Sequence, residues 1–304
     1  MKKATLITII VILIPYFIVS FFMEEKELDF GFDSNIFVRV KRIEKGTIEK
    51  VPLEDYVTGV VAGEMPVTFH IEALKAQSVA ARTYVLKRMS YAKEQDYDVV
   101  DTILNQVYLD NEYLINAWKD EYVSKINKIR KAVSDTRGEY MTYNGEIIDA
   151  LYFSTSNGFT ENSEEVFSIN LPYLRSVEST WDKDTSPVFN ETTELSANDF
   201  YQKLGLPYKD DLKVEILSRT STGRVISLKI NDEYFDASKV KEKLQMRSTD
   251  FAFSKEGNVI AIKTKGYGHG VGMSQYGADG MAEEGYKCDD ILNYYYQNIL
   301  IKTL

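Results

Sequence analysis

A run of twenty uncharged residues, from Ala4 to Met23, lies almost at the start of the chain. As a helix it would span about 30 Å, which is the thickness of the hydrocarbon core of a bilayer. Pro15 falls inside the run, and a membrane-spanning helix tolerates it. Two lysines precede the run, so residues 1–3 are predicted to be cytoplasmic and the rest of the chain external. A cleaved signal peptide is the alternative, although the end of the run matches a cleavage site poorly.

The rest of the chain reads as an external domain. Residues 24–34 have the composition of a short polar linker, and residues 35–304 are numerous enough to enclose a substantial core. The block 188–250 is a candidate for a separate lobe, because it carries its own succession of strands and helices. These boundaries predict a single-pass protein of the cell membrane whose large domain lies outside the cytoplasm.

Charge and cysteine content exclude several classes of function. The formal net charge of −10 argues against binding to nucleic acid and against adhesion to anionic lipid. The single cysteine, Cys288, excludes an internal disulfide framework. This cysteine and the two histidines, His70 and His269, are far apart in sequence and do not form the pattern of a zinc site. We therefore predict no metal and no cofactor.

Hydrophobic periodicity predicts a mixed α+β fold of helices and antiparallel strands, because the elements alternate irregularly and no internal repeat occurs. Asn144-Gly145 is typical of a type I′ hairpin turn. The block 188–250 reads as strand, helix, two strands and helix, and Tyr91–Asp101 as a loop. The other predicted elements are helices at about Leu53–Met65, His70–Met89 and Tyr113–Val133, strands at Ile36–Ile43, Ile48–Val51, Glu139–Tyr143 and Glu146–Phe153, and a hairpin at Phe251–Lys265.

Glu64 occupies a position where a carboxylate should resist ionisation. It continues the apolar face of the first predicted helix, which is formed by Leu53, Tyr56, Val57, Val60 and Val61. The helix should end near Met65, because that residue precedes Pro66. Burial and the negative end of the helix dipole both raise the pKa of such a carboxyl, as a general acid requires. The alternative is a structural ion pair with a nearby cation.

The second predicted helix carries two cations and a hydroxyl on one face. Lys75, Ser78 and Arg82 recur at i, i+3 and i+7, and several alanines allow close packing beside them. This row is typical of the wall of a polar groove. The cations would lower the pKa of Glu64 if they touched it, and the sequence leaves open which effect is larger.

A glycine-rich segment near the C-terminus, GYGHGVGMSQYGA at 266–278, follows a predicted strand and precedes a helix. Its glycine spacing does not fit a dinucleotide-binding loop. Two interpretations stay open: a tight turn that holds a core histidine, or a loop whose His269, Ser274 and Gln275 face a groove. The three consecutive tyrosines 294–296 are interpreted as core residues rather than as a platform for sugars.

Three segments together resemble the stage II sporulation protein D family of membrane-anchored lytic transglycosylases. They are EDYVTGVVAGEMP with EALKAQSVAARTY (54–84), YFSTSNGFTENSEEVF (152–167) and GYGHGVGMSQYGA (266–278). The resemblance implies cleavage of peptidoglycan between N-acetylmuramic acid and N-acetylglucosamine, with a 1,6-anhydro product. It also implies a location in the mother-cell membrane, a role in engulfment, and stage II sporulation proteins P and M as partners.

The same resemblance assigns roles to individual residues. The catalytic acid falls on Glu64, and two cations that bind the glycan or orient Glu64 fall on Lys75 and Arg82. Weaker candidates for the groove walls are Ser154, Ser156, Tyr267, His269 and Gln275. Asn157 replaces the first of a usual pair of glycines. The stretch 96–108, where many relatives carry a zinc-binding loop, contains no Cys or His, so we predict no zinc.

Two other functions compete with this interpretation. A non-catalytic scaffold that binds the wall would retain glycan without releasing product. An ordinary glycosidase would need a second carboxylate, for which Glu161, Glu164 and Glu165 are the nearest suggestions. A peptidase is disfavoured by the scarcity of Cys and His residues.

Overall fold

The computed structural model of the protein describes residues 26–31 and 35–304. The predicted membrane span at residues 4–23 lies outside this part of the chain. Within residues 26–31 and 35–304, no helix combines the length and the apolar composition needed to cross a bilayer.

Helices and strands alternate irregularly, as the sequence predicts for an α+β fold. The first half contains β1 (Phe37–Arg42), β2 (Thr47–Pro52), α1 (Leu53–Glu64), α2 (Ile71–Tyr91), β3 (Val99–Val100), α3 (Asn111–Trp118), α4 (Tyr122–Asp135), β4 (Glu139–Tyr143), β5 (Glu146–Ile147) and β6 (Tyr152–Phe153). The second half contains α5 (Ser163–Phe167), α6 (Asp182–Thr185), β7 (Asn190–Ser196), α7 (Ala197–Leu204), β8 (Val214–Arg219), β9 (Val225–Ile230), β10 (Glu233–Asp236), α8 (Ala237–Leu244), β11 (Asp250–Glu256), β12 (Val259–Lys265), β13 (Met273–Ser274), α9 (Gln275–Glu283), α10 (Cys288–Tyr295) and β14 (Leu300–Thr303).

The larger hydrophobic core surrounds α2, which packs against α1, α4, α9 and α10. Neighbouring helices can approach α2 closely because its alanines have small side chains. Two of them, Ala76 and Ala80, are fully buried. α1 and α2 begin and end within two residues of their predicted bounds. Tyr295 and Tyr296 are also fully buried, whereas Tyr294 is partly buried against the same cluster, so two of the three tyrosines are core residues as predicted.

The strands differ from the prediction in several places. Val99–Val100, expected in a loop, pairs in parallel with β1. The predicted strand Glu146–Phe153 is divided: β5 continues the hairpin of β4, whereas β6 leaves to pair in parallel with β13. A third strand, β10, extends the sheet of β8 and β9. Asn144 and Gly145 both have positive φ, 49° and 86°, as a type I′ turn requires.

The predicted helix Tyr113–Val133 is two helices. A 3₁₀ turn, Lys119–Glu121, separates α3 from α4. Lys119 has a φ of 47°, which a continuous α-helix does not allow. The local backbone conformation therefore overrides the helical periodicity of the sequence.

Residues 26–31 lie along α4 as an ordered strap. The Leu28 N–H donates to the side-chain oxygen of Asn127, whose amide donates back to the Lys26 carbonyl (2.9 Å each). Glu27 forms an ion pair with Arg130. This part of the predicted linker is therefore fixed to the domain.

Residues 190–265 enclose a second hydrophobic core. Two antiparallel three-stranded sheets, in the orders β10-β9-β8 and β11-β12-β7, and the helices α7 and α8 contribute to it. Phe251, Ile260 and Ile262 belong to this cluster. This second core includes residues beyond the block 188–250, in the hairpin of β11 and β12, and we call residues 190–265 the second lobe.

Candidate active site

Glu64, the last residue of α1, lines a cavity of about 390 Å³. Met65 is already extended, because it precedes a proline, so the helix ends where the carboxyl enters the cavity. The other residues of the lining come from α2, from the loop before α3, from β6 and the two residues before it, from the end of α5 and from the glycine-rich segment. They are Tyr84, Ile103, Leu104, Asn105, Gln106, Ala150, Leu151, Tyr152, Phe153, Phe167, Gly268 and His269.

The Glu64 carboxyl is oriented by one hydrogen bond. Its Oε1 accepts the Val107 N–H at 2.7 Å. No hydrogen bond from the described residues reaches the other oxygen, Oε2. Burial raises the pKa of Glu64, and the Val107 N–H offsets only part of this effect. One oxygen is thus fixed, while the other can carry a proton into the cavity.

Two glycines allow the segment 107–109 to lie against α1. A Cβ atom on Gly63 would be 2.8 Å from the Val107 carbonyl oxygen, and one on Gly59 would be 2.5 Å from that of Leu109. Both distances are too short for a side chain. The hydrogen bond from Val107 to Glu64 therefore depends on the absence of a side chain at the preceding position, Gly63.

A chain of buried polar side chains supports the wall behind Glu64. The Tyr56 hydroxyl donates to Gln106 Oε1 (3.1 Å), and Gln106 Nε2 donates to the Tyr152 hydroxyl oxygen (2.9 Å). Gln106 also donates to the Ala81 carbonyl. Because a satisfied buried network has few alternative arrangements, it holds α1, α2 and β6 in fixed positions around the cavity.

His269 also lines the cavity. Its ring packs against Phe153 and Phe167, with ring centroids 5.7 and 5.4 Å away. Its Nδ1 accepts the Val271 N–H at 3.1 Å, which assigns the remaining proton to Nε2. Burial is the main cause that lowers the pKa of His269 to about 4, with Arg224 and Lys241 contributing. At neutral pH the ring is therefore uncharged.

This histidine should make stability depend on pH. The folded protein keeps His269 neutral down to about pH 4, whereas the unfolded chain binds a proton near pH 6.5. The unfolded state thus holds more protons between these values, and stability falls as pH falls from 6.5 towards 4. We expect the loss to be about 1–3 kcal/mol, since one pKa unit corresponds to about 1.4 kcal/mol. Urea unfolding at pH 7 and pH 4.5 measures it.

The matched variants are His269→Asn and His70→Asn. An asparagine at position 269 can still accept the Val271 N–H, but it does not titrate, so the acid-induced loss should shrink. His70 is exposed and caps the N-terminus of α2, where asparagine is also a favourable cap. An equal pH dependence in all three proteins would contradict the assignment to His269.

Lys75 and Arg82 are engaged away from the cavity. The Arg82 guanidinium is fully buried and pairs with Glu54 at 2.5 Å. Lys75 pairs with Glu72 and Asp135, each at 3.1 Å. Neither cation has a hydrogen bond or ion pair with Glu64 among the described contacts. Their shared helical face thus supports the packing of α2 instead of forming a groove wall.

The four remaining candidates are not part of the cavity lining. Ser156 is fully buried: its N–H donates to Asp182, and its hydroxyl donates to the Ser179 carbonyl. Gln275 is buried beside Gln77. Ser154 contacts the hydroxyl of the next residue. Tyr267 is 45% exposed and lies under the Arg247 guanidinium. The cavity thus unites only Glu64 and His269 from the predicted set.

Sequence reasoning missed most of the lining. Nothing in the sequence spacing of Tyr84, Gln106, Tyr152 and Phe167 distinguishes them from core residues. They lie in four separate segments of the chain, and only the folded structure brings these segments together around one cavity.

Three carboxylates considered as second catalytic groups have other partners. Glu161 is fully buried, lies 3.2 Å from the Arg224 guanidinium and accepts from Thr222. Glu164 pairs with Arg175, and Glu165 accepts the Ser221 N–H. None of the three lines the cavity among the described residues.

The Glu161–Arg224 pair joins the two cores. Arg224 immediately precedes β9 of the second lobe, and its guanidinium donates to the Gly268 carbonyl and to the Ser248 hydroxyl, both at 3.1 Å. Gly270 passes so close that a Cβ atom there would be 2.8 Å from Glu161 and 3.0 Å from Arg224. The second lobe therefore holds the backbone that carries His269.

The segment 96–108 is held by charge pairs. Asp98 accepts the Arg39 N–H at 2.7 Å and pairs with its guanidinium. Asp101 accepts from Arg42 and from the Ile43 N–H. The segment contains no thiol or imidazole, and Asp98 and Asp101 are bound by arginines, so its residues do not fit a zinc ion. No group of His, Cys, Asp and Glu within the described ranges is arranged to hold a metal.

Comparisons with known proteins identify the family. The family model described as Stage II sporulation protein matches residues 42–143, which include Glu64 and Val107. Stage II sporulation protein D of Bacillus subtilis (strain 168) is 43% identical over 273 residues, covering 88% of this chain and 79% of that protein. Its counterpart in Bacillus amyloliquefaciens is 43% identical over 272 residues, with the same coverage. The amidase enhancer of Bacillus subtilis (strain 168) is 30% identical over 292 residues, covering 78% of this chain and 39% of that protein. The chain therefore belongs to the stage II sporulation protein D family.

Proposed function

We propose that this protein is a lytic transglycosylase that cleaves peptidoglycan strands between N-acetylmuramic acid and N-acetylglucosamine. The observation that carries the proposal is the state of Glu64. It is a carboxyl with a raised pKa, oriented by one hydrogen bond, in a cavity of the size that small ligands occupy. A raised pKa favours the protonated form of the carboxyl, which is the form that a general acid needs in order to donate a proton.

A single carboxyl is sufficient for this reaction. Ordinary glycosidases need two carboxylates beside the bond that breaks. Glu64 is the only acid among the described residues of the cavity lining. A lytic transglycosylase needs no second one, because the substrate supplies the nucleophile.

Glu64 alone donates and then recovers the proton that the reaction requires. Its protonated carboxyl donates to the glycosidic oxygen, and the bond from that oxygen to the anomeric carbon of the muramic acid breaks. The resulting carboxylate then accepts the proton of the C6 hydroxyl as its oxygen bonds to the anomeric carbon. The products are a 1,6-anhydro end and a free hydroxyl on the leaving sugar. Glu64 regains its proton, and no water is consumed.

The setting of the reaction belongs to the same proposal. Relatives of this chain are named for stage II of sporulation, and one is named an amidase enhancer. We place the protein in the mother-cell membrane, with residues 4–23 as its anchor and the domain outside, acting on the wall during engulfment. Stage II sporulation proteins P and M are the proposed partners.

Mass spectrometry of the released fragments tests the reaction. Purified glycan strands, with and without stem peptides, are incubated with the protein, and the muramic acid ends are analysed. We expect ends that lack the mass of one water relative to hydrolysed ends. Hydrolysed ends would identify an ordinary glycosidase. Strands that are retained but not cut would favour the wall-binding scaffold.

The hydrogen bond that orients Glu64 should influence the rate. A Gly63→Ala substitution places a methyl group against Val107, so the segment must move away from α1. We expect a stability loss of about 1–3 kcal/mol and a fall in kcat of about tenfold or more, because small displacements of a catalytic group are costly. Gly59→Ala disturbs the same contact one turn earlier, beside Leu109, and should cost stability with a smaller effect on kcat. Equal kcat values for the two variants would argue against this role of Val107.

A further inference from the structure

Two large aliphatic side chains stand in solvent at the mouth of the cavity. Ile103 is 88% exposed and Leu104 is 79% exposed, and both line the cavity that contains Glu64. We call this pair the lip. Single exposed aliphatic residues are common on protein surfaces. Two adjacent ones at the entrance of a cavity form a hydrophobic surface that a ligand would cover as it enters.

The lip is held in place. The Asn105 side chain accepts the Val100 N–H at 2.8 Å and donates to the Tyr84 hydroxyl at 3.2 Å. The Asn105 N–H also donates to the Thr102 carbonyl. These bonds close a short turn on both sides of the lip. The backbone that carries the two side chains therefore requires little additional ordering when a ligand binds, which favours binding.

The rest of the mouth is also apolar and nearly uncharged. Phe167, at the end of α5, is 43% exposed and packs edge-on against the neutral ring of His269. The described lining contains no lysine or arginine, and Glu64 is its only acid. A ligand group that enters between the lip and Phe167 should therefore be neutral and carry methyl or methylene surface.

We propose that the lip and Phe167 recognise the N-acetyl groups of the glycan, so that the site accepts N-acetylated strands and rejects strands with free amino groups. This inference rests on the proposed function. Each acetyl methyl group that is buried against the lip gains affinity through the loss of apolar surface to water. A free amine would enter as an ammonium ion, which loses its hydration in an apolar mouth. Near Glu64 it would also favour the ionised carboxylate, which cannot donate a proton.

Binding measurements separate this inference from the reaction itself. The Glu64→Gln protein is used to prevent turnover, and its Kd is measured on N-acetylated strands and on strands de-N-acetylated chemically. In this background the lip variant carries Ile103→Ser and Leu104→Ser. The matched control carries Leu217→Ser and Ile226→Ser, an exposed Leu and Ile on the second lobe outside the cavity lining.

On N-acetylated strands we expect the lip variant to bind at least tenfold more weakly, with the control within twofold of the parent. De-N-acetylated strands should bind the parent at least tenfold more weakly, and the lip substitutions should then change Kd less than threefold. Unchanged binding in the lip variant, equal binding of the two strands, or no binding to either strand would each overturn the inference. If the expected binding pattern appears but the active protein releases no anhydro ends, the inference holds and the proposed reaction fails.

Discussion

Glu64→Gln should abolish the release of anhydro-muramic ends while the protein remains folded. The amide has nearly the same shape and can still accept the Val107 N–H, but it has no acidic proton to deliver. General acid–base catalysis typically contributes 10²–10⁴-fold, so we expect kcat to fall by about 10³-fold or more, because one group performs both proton transfers. Fragment release is measured by mass spectrometry, and folding by thermal unfolding.

Asp55→Asn provides the matched control. Asp55 lies on the same helix, and burial likewise raises the pKa of its carboxyl, but it is not part of the cavity lining. Its neutralisation should leave kcat within about threefold of the parent, well short of the effect expected for a catalytic acid. If Glu64→Gln retained more than a tenth of the parental rate, Glu64 could not be the proton donor of the proposed reaction.

Arg82→Met should destabilise the protein strongly, because it leaves the Glu54 carboxylate buried without its partner. Arg82 is fully buried, Glu54 is only 3% exposed, and three main-chain carbonyls also accept from the guanidinium. Removing one member of such a pair costs about 3–5 kcal/mol. Urea unfolding at neutral pH measures the loss. The expected loss of activity then reflects unfolding and not a missing contact to glycan.

A double variant distinguishes loss of activity through unfolding from loss of a contact to the glycan. Glu54→Gln combined with Arg82→Met removes both charges and keeps an acceptor for the Gly138 N–H. We expect it to recover at least half of the lost stability and to regain activity. Lys75→Met, which breaks more exposed ion pairs, should cost about 1 kcal/mol or less. A stable double variant without activity would instead show that Arg82 takes part in the reaction.

Local patterns in the sequence were sufficient to place the catalytic candidate. The apolar stripe of α1 and the proline after Met65 predict both where the helix ends and which way Glu64 faces. The pKa of Glu64 is raised, as its position predicts. Burial is the main cause, and the Val107 N–H partly offsets it.

Partner choice could not be predicted in the same way. The spacing of Lys75 and Arg82 correctly indicates one helical face, but not that Glu54, Glu72 and Asp135 would be their partners. The sequence likewise does not indicate that Tyr152 leaves the hairpin of β4 to pair with β13. Such contacts join residues far apart in the chain, and they depend on the packing of the whole domain.

The buried ion pair between Glu161 and Arg224 couples the structures of the two cores. Because Arg224, just before β9, donates to the carbonyl next to His269, one wall of the cavity is supported by the second hydrophobic core, whereas Glu64 is supported by the first. Substitutions inside the second core can therefore change the shape of the cavity without contacting Glu64. Removing either core from the protein should therefore disrupt the cavity.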